Sequence, residues 1–301
     1  MPSSKLWSMR LQGAVVGGMD CGDHTGYPVL AFHGSPGCHV EAVAFADAPA
    51  AAAGLRLVAV DRPGMGMSEL APQRQVIEWT ETVAAVADHF GFDEFAVLGA
   101  SGGGPYAMAC AHALPDRVSS CVLVSSLAPV TDAAAADSGE GKRAGGLMIL
   151  RLFPFLARPV ARRLSSIVKK DRGVAAMIAQ MSQADQDRIA RDDQLRADIT
   201  ANIRTAFVPG SRGTAADMQR LFARPWGFDP ADIVVPTVIW HGTRDANVPV
   251  GDGRRLAAMI PGAQMRLVEG AGHLLFVDHA AAVLDTVRQR SGERDERALP
   301  D

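Results

Sequence analysis

Short apolar runs along this chain alternate with longer stretches whose apolar positions recur at helical spacing. Residues 28–33 (PVLAFH), 55–60 (LRLVAV), 95–99 (FAVLG), 120–125 (CVLVSS), 233–240 (IVVPTVIW) and 264–268 (QMRLV) read as short strands, the first of them buried. Residues 76–90 place Val76, Trp79, Val83, Val86 and Phe90 on one helical face, and further helices are expected over about 103–113, 252–260 and 275–290. The charged tail SGERDERALPD is expected to fray. Strands alternating with helices in this way predict a mostly parallel sheet with helices on both faces, an α/β architecture.

Between about 128 and 228 the rhythm breaks. This stretch offers no convincing strand and is rich in Ala, Arg and Asp, with Pro154, Pro159, Gly173, Pro209 and Gly213 cutting it into short helices. An all-helical block inside a βα series reads as an insertion, so a core of 1–127 and 229–301 and a helical cap of 128–228 are expected. Within it, Lys142, Arg143, Arg151, Arg158, Arg162, Arg163, Lys169, Lys170 and Arg172 face only Asp171 as counter-charge. The expectation is a solvated helix face, with Asp185, Asp187, Asp192, Asp193 and Asp198 as its local partners. The alternative is a surface that greets anionic substrates or membranes.

Composition narrows the function classes. Apolar residues form 48% of the 301-residue chain, enough for a large core, and a net charge of -3 gives no reason to expect nucleic acid as a partner. Cys21, Cys38, Cys110 and Cys121 form no CxxC pair and no zinc spacing, so free buried thiols in a reducing cytoplasm are expected. The N-terminus lacks the apolar stretch of a signal peptide, and no run reaches the roughly 18 apolar residues of a transmembrane segment.

The chemistry lies at the strand ends. Gly99-Ala100-Ser101-Gly102-Gly103 falls directly after one expected strand and before one expected helix, the context in which GxSxG exposes a nucleophilic serine. Strand 28–33 runs into His33-Gly34-Ser35-Pro36-Gly37. Acyl transfer needs two donors for the oxyanion, and the backbone N–H groups of Ser35 and Gly102 are the candidates. His33 itself is expected to brace the loop. Strand 233–240 ends in His241-Gly242-Thr243-Arg244-Asp245, and strand 264–268 in Glu269-Gly270-Ala271-Gly272-His273. Both loops lie on the carboxyl edge of a parallel sheet, where sites form. Ser101 as nucleophile, His273 as general base and Asp245 as its orienting acid complete a triad in chain order Ser, Asp, His. Asp132, also past a strand, is the rival acid.

These motifs resemble the α/β-hydrolase superfamily over nearly the whole chain outside the cap. HGSPG is similar to its oxyanion loop, and Asp61-Arg62-Pro63-Gly64-Met65-Gly66-Met67-Ser68 to its DxxGxGxS loop, where Asp61 is expected to cap turns. GASGGGP resembles its nucleophile elbow, HGTRDANVP its acid loop, GAGH its histidine loop, and Arg224 to Phe228 a cap exit. The elbow carries Ser101 where dehalogenases and epoxide hydrolases of this fold carry aspartate. Gly103 and the DRPG loop depart from the proline iminopeptidase pattern. What the resemblance implies is an esterase-like serine hydrolase acting on a small or medium acyl substrate, with no metal or organic cofactor. A cofactor-free perhydrolase (haloperoxidase) and a slow-turnover ligand-binding protein are the alternatives.

Overall fold

The structure, a computed structural model, describes residues 4–130 and 149–298. Eight strands form one sheet in the order β1-β2-β4-β3-β5-β6-β7-β8. They are β1 Lys5–Leu11, β2 Ala14–Gly22, β3 Tyr27–Phe32, β4 Leu55–Val60, β5 Phe95–Ala100, β6 Val118–Val124, β7 Thr237–Gly242 and β8 Gln264–Val268. From β4 to β8 the neighbours pair parallel, while β2 is antiparallel to β1 and β4.

Successive side chains of the central strands enter opposite clusters. Leu30, Val58, Val97 and Leu123 join one, and Val29, Leu57, Leu98 and Val122 the other. Two covered faces explain why these strands read as continuous apolar runs. The first face is closed by α2 (Trp79–Phe90), α3 (Gly104–Ala113) and a late helix, Val250–Met259, through Trp79, Tyr106 and Leu256. The second is closed by α1 (Val40–Ala52) and the final helix, Leu275–Ala298, through Ala46, Ala50, Val283 and Leu284.

Between β6 and β7 the described residues hold no strand, and their helices include α4 (Ala157–Ile167), α5 (Asp171–Ile178), α6 (Gln183–Ala190), α7 (Asp193–Ala206) and α8 (Arg212–Met218). The late helices are therefore α9 (Val250–Met259) and α10 (Leu275–Ala298). Side chains of Ser182 and Asp192 accept backbone N–H bonds at the starts of α6 and α7, as N-caps do. Val168, Val174, Ile189, Leu195, Ile199, Ile203 and Phe207 form a small core that packs on Phe45 of α1 and on Leu274 and Val277. Lys142, Arg143, Met148 and Asp132 lie outside the described residues. No helix among the described residues is long and apolar enough to cross a membrane.

Several expectations need correction. The strand expected at 233–240 begins only at Thr237, after Pro236, a residue that cannot donate to a ladder. The hairpin β1–β2 has no counterpart in the sequence reading, because β2 carries adjacent glycines that depress strand propensity. A Cβ on Gly18 would run into the Ala59 carbonyl of β4, so glycine there allows the strands to approach. Helix α1 likewise carries no helical signature in the sequence: it is Ala-rich, holds Pro49 and lacks an apolar stripe. The tail expected to fray continues α10 to Ala298.

A buried ion pair ties the helical insertion to the sheet edge. Asp217 of α8 receives two bonds from the Arg62 guanidinium, both at 3.1 Å, and one each from Tyr106 Oη and Ser35 Oγ at 2.6 Å. Burial alone would raise the Asp217 carboxyl, but Arg62 and Arg220 hold it at about 2. Arg62 also donates to the carbonyls of His33 and Gly34. Asp217→Asn is expected to destabilise the protein by about 3–5 kcal/mol, because Arg62 would stay buried without its counter-charge. Urea unfolding of the variant beside the parent measures this. A loss within about 1 kcal/mol, typical of exposed pairs, would show that the network is not holding the fold.

Candidate active site

Ser101 sits at the tip of β5, where the chain turns through a short 3-10 segment, Ser101–Gly103, into α3. Its φ is +50°, a left-handed conformation that costs a non-glycine residue about 1 kcal/mol or more. The turn is possible because neighbouring residues lack side chains. A Cβ on Gly99 would lie 2.8 Å from the Gly104 Cα, and one on Gly103 would overlap the Phe32 carbonyl. The result is a serine lifted clear of the strand above the start of a helix, where the positive end of the dipole favours anionic charge.

His273 and Asp245 meet across two neighbouring strand ends. His273 Nδ1 lies 2.8 Å from Asp245 Oδ2, and Asp245 Oδ1 accepts the N–H groups of Asn247 and Val248, each at 2.8 Å. The two loops are laced by Arg244 N–H to the Ala271 carbonyl at 2.9 Å and Thr243 N–H to the Val268 carbonyl at 3.1 Å. Burial raises the Asp245 carboxyl, but the His273 charge and hydrogen bond outweigh it and the net shift is downward. For His273, burial pulls the imidazole down, and Asp245 more than compensates, leaving its pKa above the usual 6.5. His241 also stands 3.6 Å from Asp245 Oδ2, but its Nε2 is engaged with the Val248 carbonyl at 2.9 Å.

Ser101 and His273 border one cavity of about 200 Å³. Ser35 and Gly34 line it from the loop after β3, and a Cβ built on Gly102 would lie 3.3 Å from the Ser35 nitrogen. Ser35 and Gly102 are thus in contact beside Ser101. Ser35 is anchored there through its hydroxyl on Asp217. His33 braces this loop as expected. Its Nε2 accepts the Arg62 N–H at 3.1 Å, Nδ1 contacts the Gly34 carbonyl at 2.8 Å, and burial drops its pKa to about 3. Asp61 accepts the N–H groups of His39 at 2.6 Å and Met67 at 2.8 Å, a turn-holding role. All four cysteines are free and buried.

The insertion supplies the apolar wall. Met177 and Met181 line the cavity with Ile178, Ile199 and Ile203. Phe207 is buried in the insertion's own core, and Phe153 is 48% exposed. Arg158, Arg162, Arg163, Lys169, Lys170 and Arg172 are exposed, as a solvated face requires. Their expected acidic partners are engaged elsewhere: Asp192 pairs with Arg188, and Asp187 and Asp198 accept from glutamines one turn away.

Asp185 is the clearest departure from the sequence reading. It is buried, and its carboxylate accepts the N–H groups of His273 and Leu274, both at 2.9 Å. A helix of the insertion therefore holds the backbone of the histidine loop. Glu41 and Asn202 also reach the cavity unannounced. No local signal marked them, because their neighbours lie on distant segments.

Comparison with known proteins agrees with this geometry. A family model described as the alpha/beta hydrolase fold matches residues 27–280. The chain is 26% identical over 287 residues to a 2-hydroxymuconate semialdehyde hydrolase of Pseudomonas sp. (strain CF600), covering 91% of this chain and 90% of the relative. It is 29% identical over 225 residues to the pimeloyl-[acyl-carrier protein] methyl ester esterase of Neisseria meningitidis serogroup C / serotype 2a (strain ATCC 700532 / DSM 15464 / FAM18), covering 74% and 78%. Among solved structures, an alpha/beta hydrolase fold protein from Nakamurella multipartita superposes with a TM-score of 0.68 at 26% identity, covering 96% of this chain and all of that one. With the sheet order, the helical insertion and a match over most of its length, this chain belongs to the alpha/beta hydrolase family and is a hydrolase of that fold.

Proposed function

We propose that the chain is an esterase-like serine hydrolase in which Ser101, His273 and Asp245 cleave an acyl ester through an acyl-enzyme. The observation that carries this reading is the 2.8 Å His273–Asp245 contact on the wall of the cavity that Ser101 enters at positive φ. In this mechanism Ser101 Oγ attacks the acyl carbonyl while His273 takes its proton, and Asp245 stabilises the imidazolium. The N–H groups of Ser35 and Gly102 donate to the tetrahedral oxyanion. His273 returns the proton to the departing alcohol. Water, deprotonated by the same histidine, then attacks the acyl-enzyme and releases the acid. The printed names of the relatives point to different substrates, a semialdehyde and a methyl ester, so the test is broad. Rates on esters, thioesters, lactones and amides, and on an acid with peroxide, should be highest for esters. A chain that turns over none of them, or favours peroxide, overturns the proposal.

The pH dependence follows from the charge balance at His273. Only the neutral imidazole accepts the serine proton, and its pKa is raised, so kcat/KM is expected to fall with acidification around a midpoint above 6.5. Asp185 adds negative charge near His273, and Asp185→Asn should move that midpoint downward besides lowering the rate. A midpoint at or below 6.5 in the parent, or an unmoved one in the variant, would contradict this account.

No Lys or Arg among the described residues lines the cavity. A neutral ester should therefore be cleaved at least as well as its carboxylate-bearing analogue, with little dependence on salt. A preference for the anionic ester that fades with salt would instead assign recognition to the basic face.

A further inference from the structure

The chemistry proposed above leaves one carboxyl in the cavity without a task. Glu41 lies in the first turn of α1, and its Oε2 accepts the Gly34 N–H at 3.0 Å and Asn202 Nδ2 at 3.3 Å. The orientation of Asn202 is settled by its other bond, since Oδ1 accepts the Cys38 N–H at 2.9 Å. Donors from the oxyanion-side loop and from α7 thus clamp the same carboxylate oxygen and fix the plane of the group. Oε1 accepts no bond from the described residues, although a carboxylate offers about four acceptor positions. Glu41 lines a cavity whose other walls include Phe45, Ile178, Ile199 and Phe276.

Glu41 is half-buried and Oε1 is not among the buried atoms shut off without a partner, so its acceptor positions stay open to a ligand. Burial pushes the Glu41 carboxyl up, against the help of the Gly34 N–H. The group is also close to the reaction. A Cβ built on Gly34 would sit 3.4 Å from Glu41 Oε2 and 3.6 Å from the Ser101 Cβ, in contact with both. Glu41 and Ser101 therefore flank Gly34 on the wall of one cavity, so a substrate held at Ser101 lies beside the Glu41 carboxylate.

We propose that Glu41 is a substrate-recognition residue whose free oxygen accepts a hydrogen bond from a hydroxyl or ammonium substituent on an otherwise apolar substrate. The site selects against a carboxylate at that position, because two carboxylates would face each other with no described Lys or Arg on the wall. The inference rests on the ester-hydrolase reading only for the bond that is cut, and binding tests it independently of turnover.

NMR shift titrations at pH 8 with hexylammonium, 1-hexanol and hexanoate give a dissociation constant for each end group on one apolar chain. They are run on the parent, on Ser101→Ala and on Glu41→Gln. In the parent and in Ser101→Ala, hexylammonium should bind at least about tenfold tighter than hexanoate, the scale of a charge-assisted hydrogen bond, with hexanol between. Glutamine keeps an oxygen for the Gly34 N–H and turns its NH₂ toward the cavity, so in Glu41→Gln the ratio should collapse to within about threefold. Hexanoate binding the parent as tightly as hexylammonium, or an unchanged ratio in Glu41→Gln, overturns the proposal. The ordering in the parent needs no variant to fold. A parent that shows the ordering yet cleaves no ester would sink the ester reading and leave the subsite standing.

Discussion

Ser101→Ala is expected to lower ester hydrolysis by about 10⁴-fold or more while the protein stays folded. Alanine keeps the Cβ and tolerates φ = +50° no worse than serine does, so the sharp turn into α3 should survive and only the proposed nucleophile be lost. Residual turnover over the uncatalysed rate would come from the Ser35 and Gly102 amides and from substrate binding. An organophosphonate should label Ser101 alone in the parent and nothing in the variant. Labelling at another serine, or turnover in the variant near that of the parent, would remove Ser101 from the mechanism.

Asp245→Asn should cost on the order of 10⁴-fold in kcat, and the hydrogen bonds around the carboxylate say why. Oδ1 is held by two backbone donors, the N–H groups of Asn247 and Val248. An asparagine must put its oxygen there, so its NH₂ turns to His273 Nδ1. That nitrogen becomes the acceptor, the imidazole proton moves to Nε2, and the histidine can no longer take a proton from serine. Crystal structures or thermal unfolding of the variant should show a native fold. Asp132→Asn is the control, expected to leave kcat near that of the parent. If it were the more damaging change, the acid role would move to Asp132.

Most of the strands and the site loops were legible in the chain because they depend on local chemistry. A strand covered on both faces is largely apolar, and β3, β4, β5 and β6 carry that mark, whereas β8 is an edge strand with no buried residue. A sharp strand-to-helix turn needs small residues around its serine, so Gly99, Gly102 and Gly103 announce it. Asp245 and His273 each follow a strand by a few residues, and parallel pairing of β7 and β8 brings their loops together. The hairpin β1–β2 and helix α1 left weaker marks: adjacent glycines in one and an Ala-rich, unstriped surface in the other.

What the amino-acid order marked by itself is the α/β-hydrolase fold, the helical stretch after β6 and the loops that carry the candidate triad, since each of these motifs is written in residues near one another along the chain. Packing alone decided how the insertion meets that site. Asp185 reaches the His273 amide across 88 positions, Asn202 the Cys38 amide across 164 and Asp217 the Ser35 hydroxyl across 182. In the sequence these are ordinary polar residues on helices, because a polar side chain carries no record of its partner. Which acid stays in solvent and which is buried against a backbone donor depends on the face each helix turns inward, and that is settled only when the apolar cores of both units close.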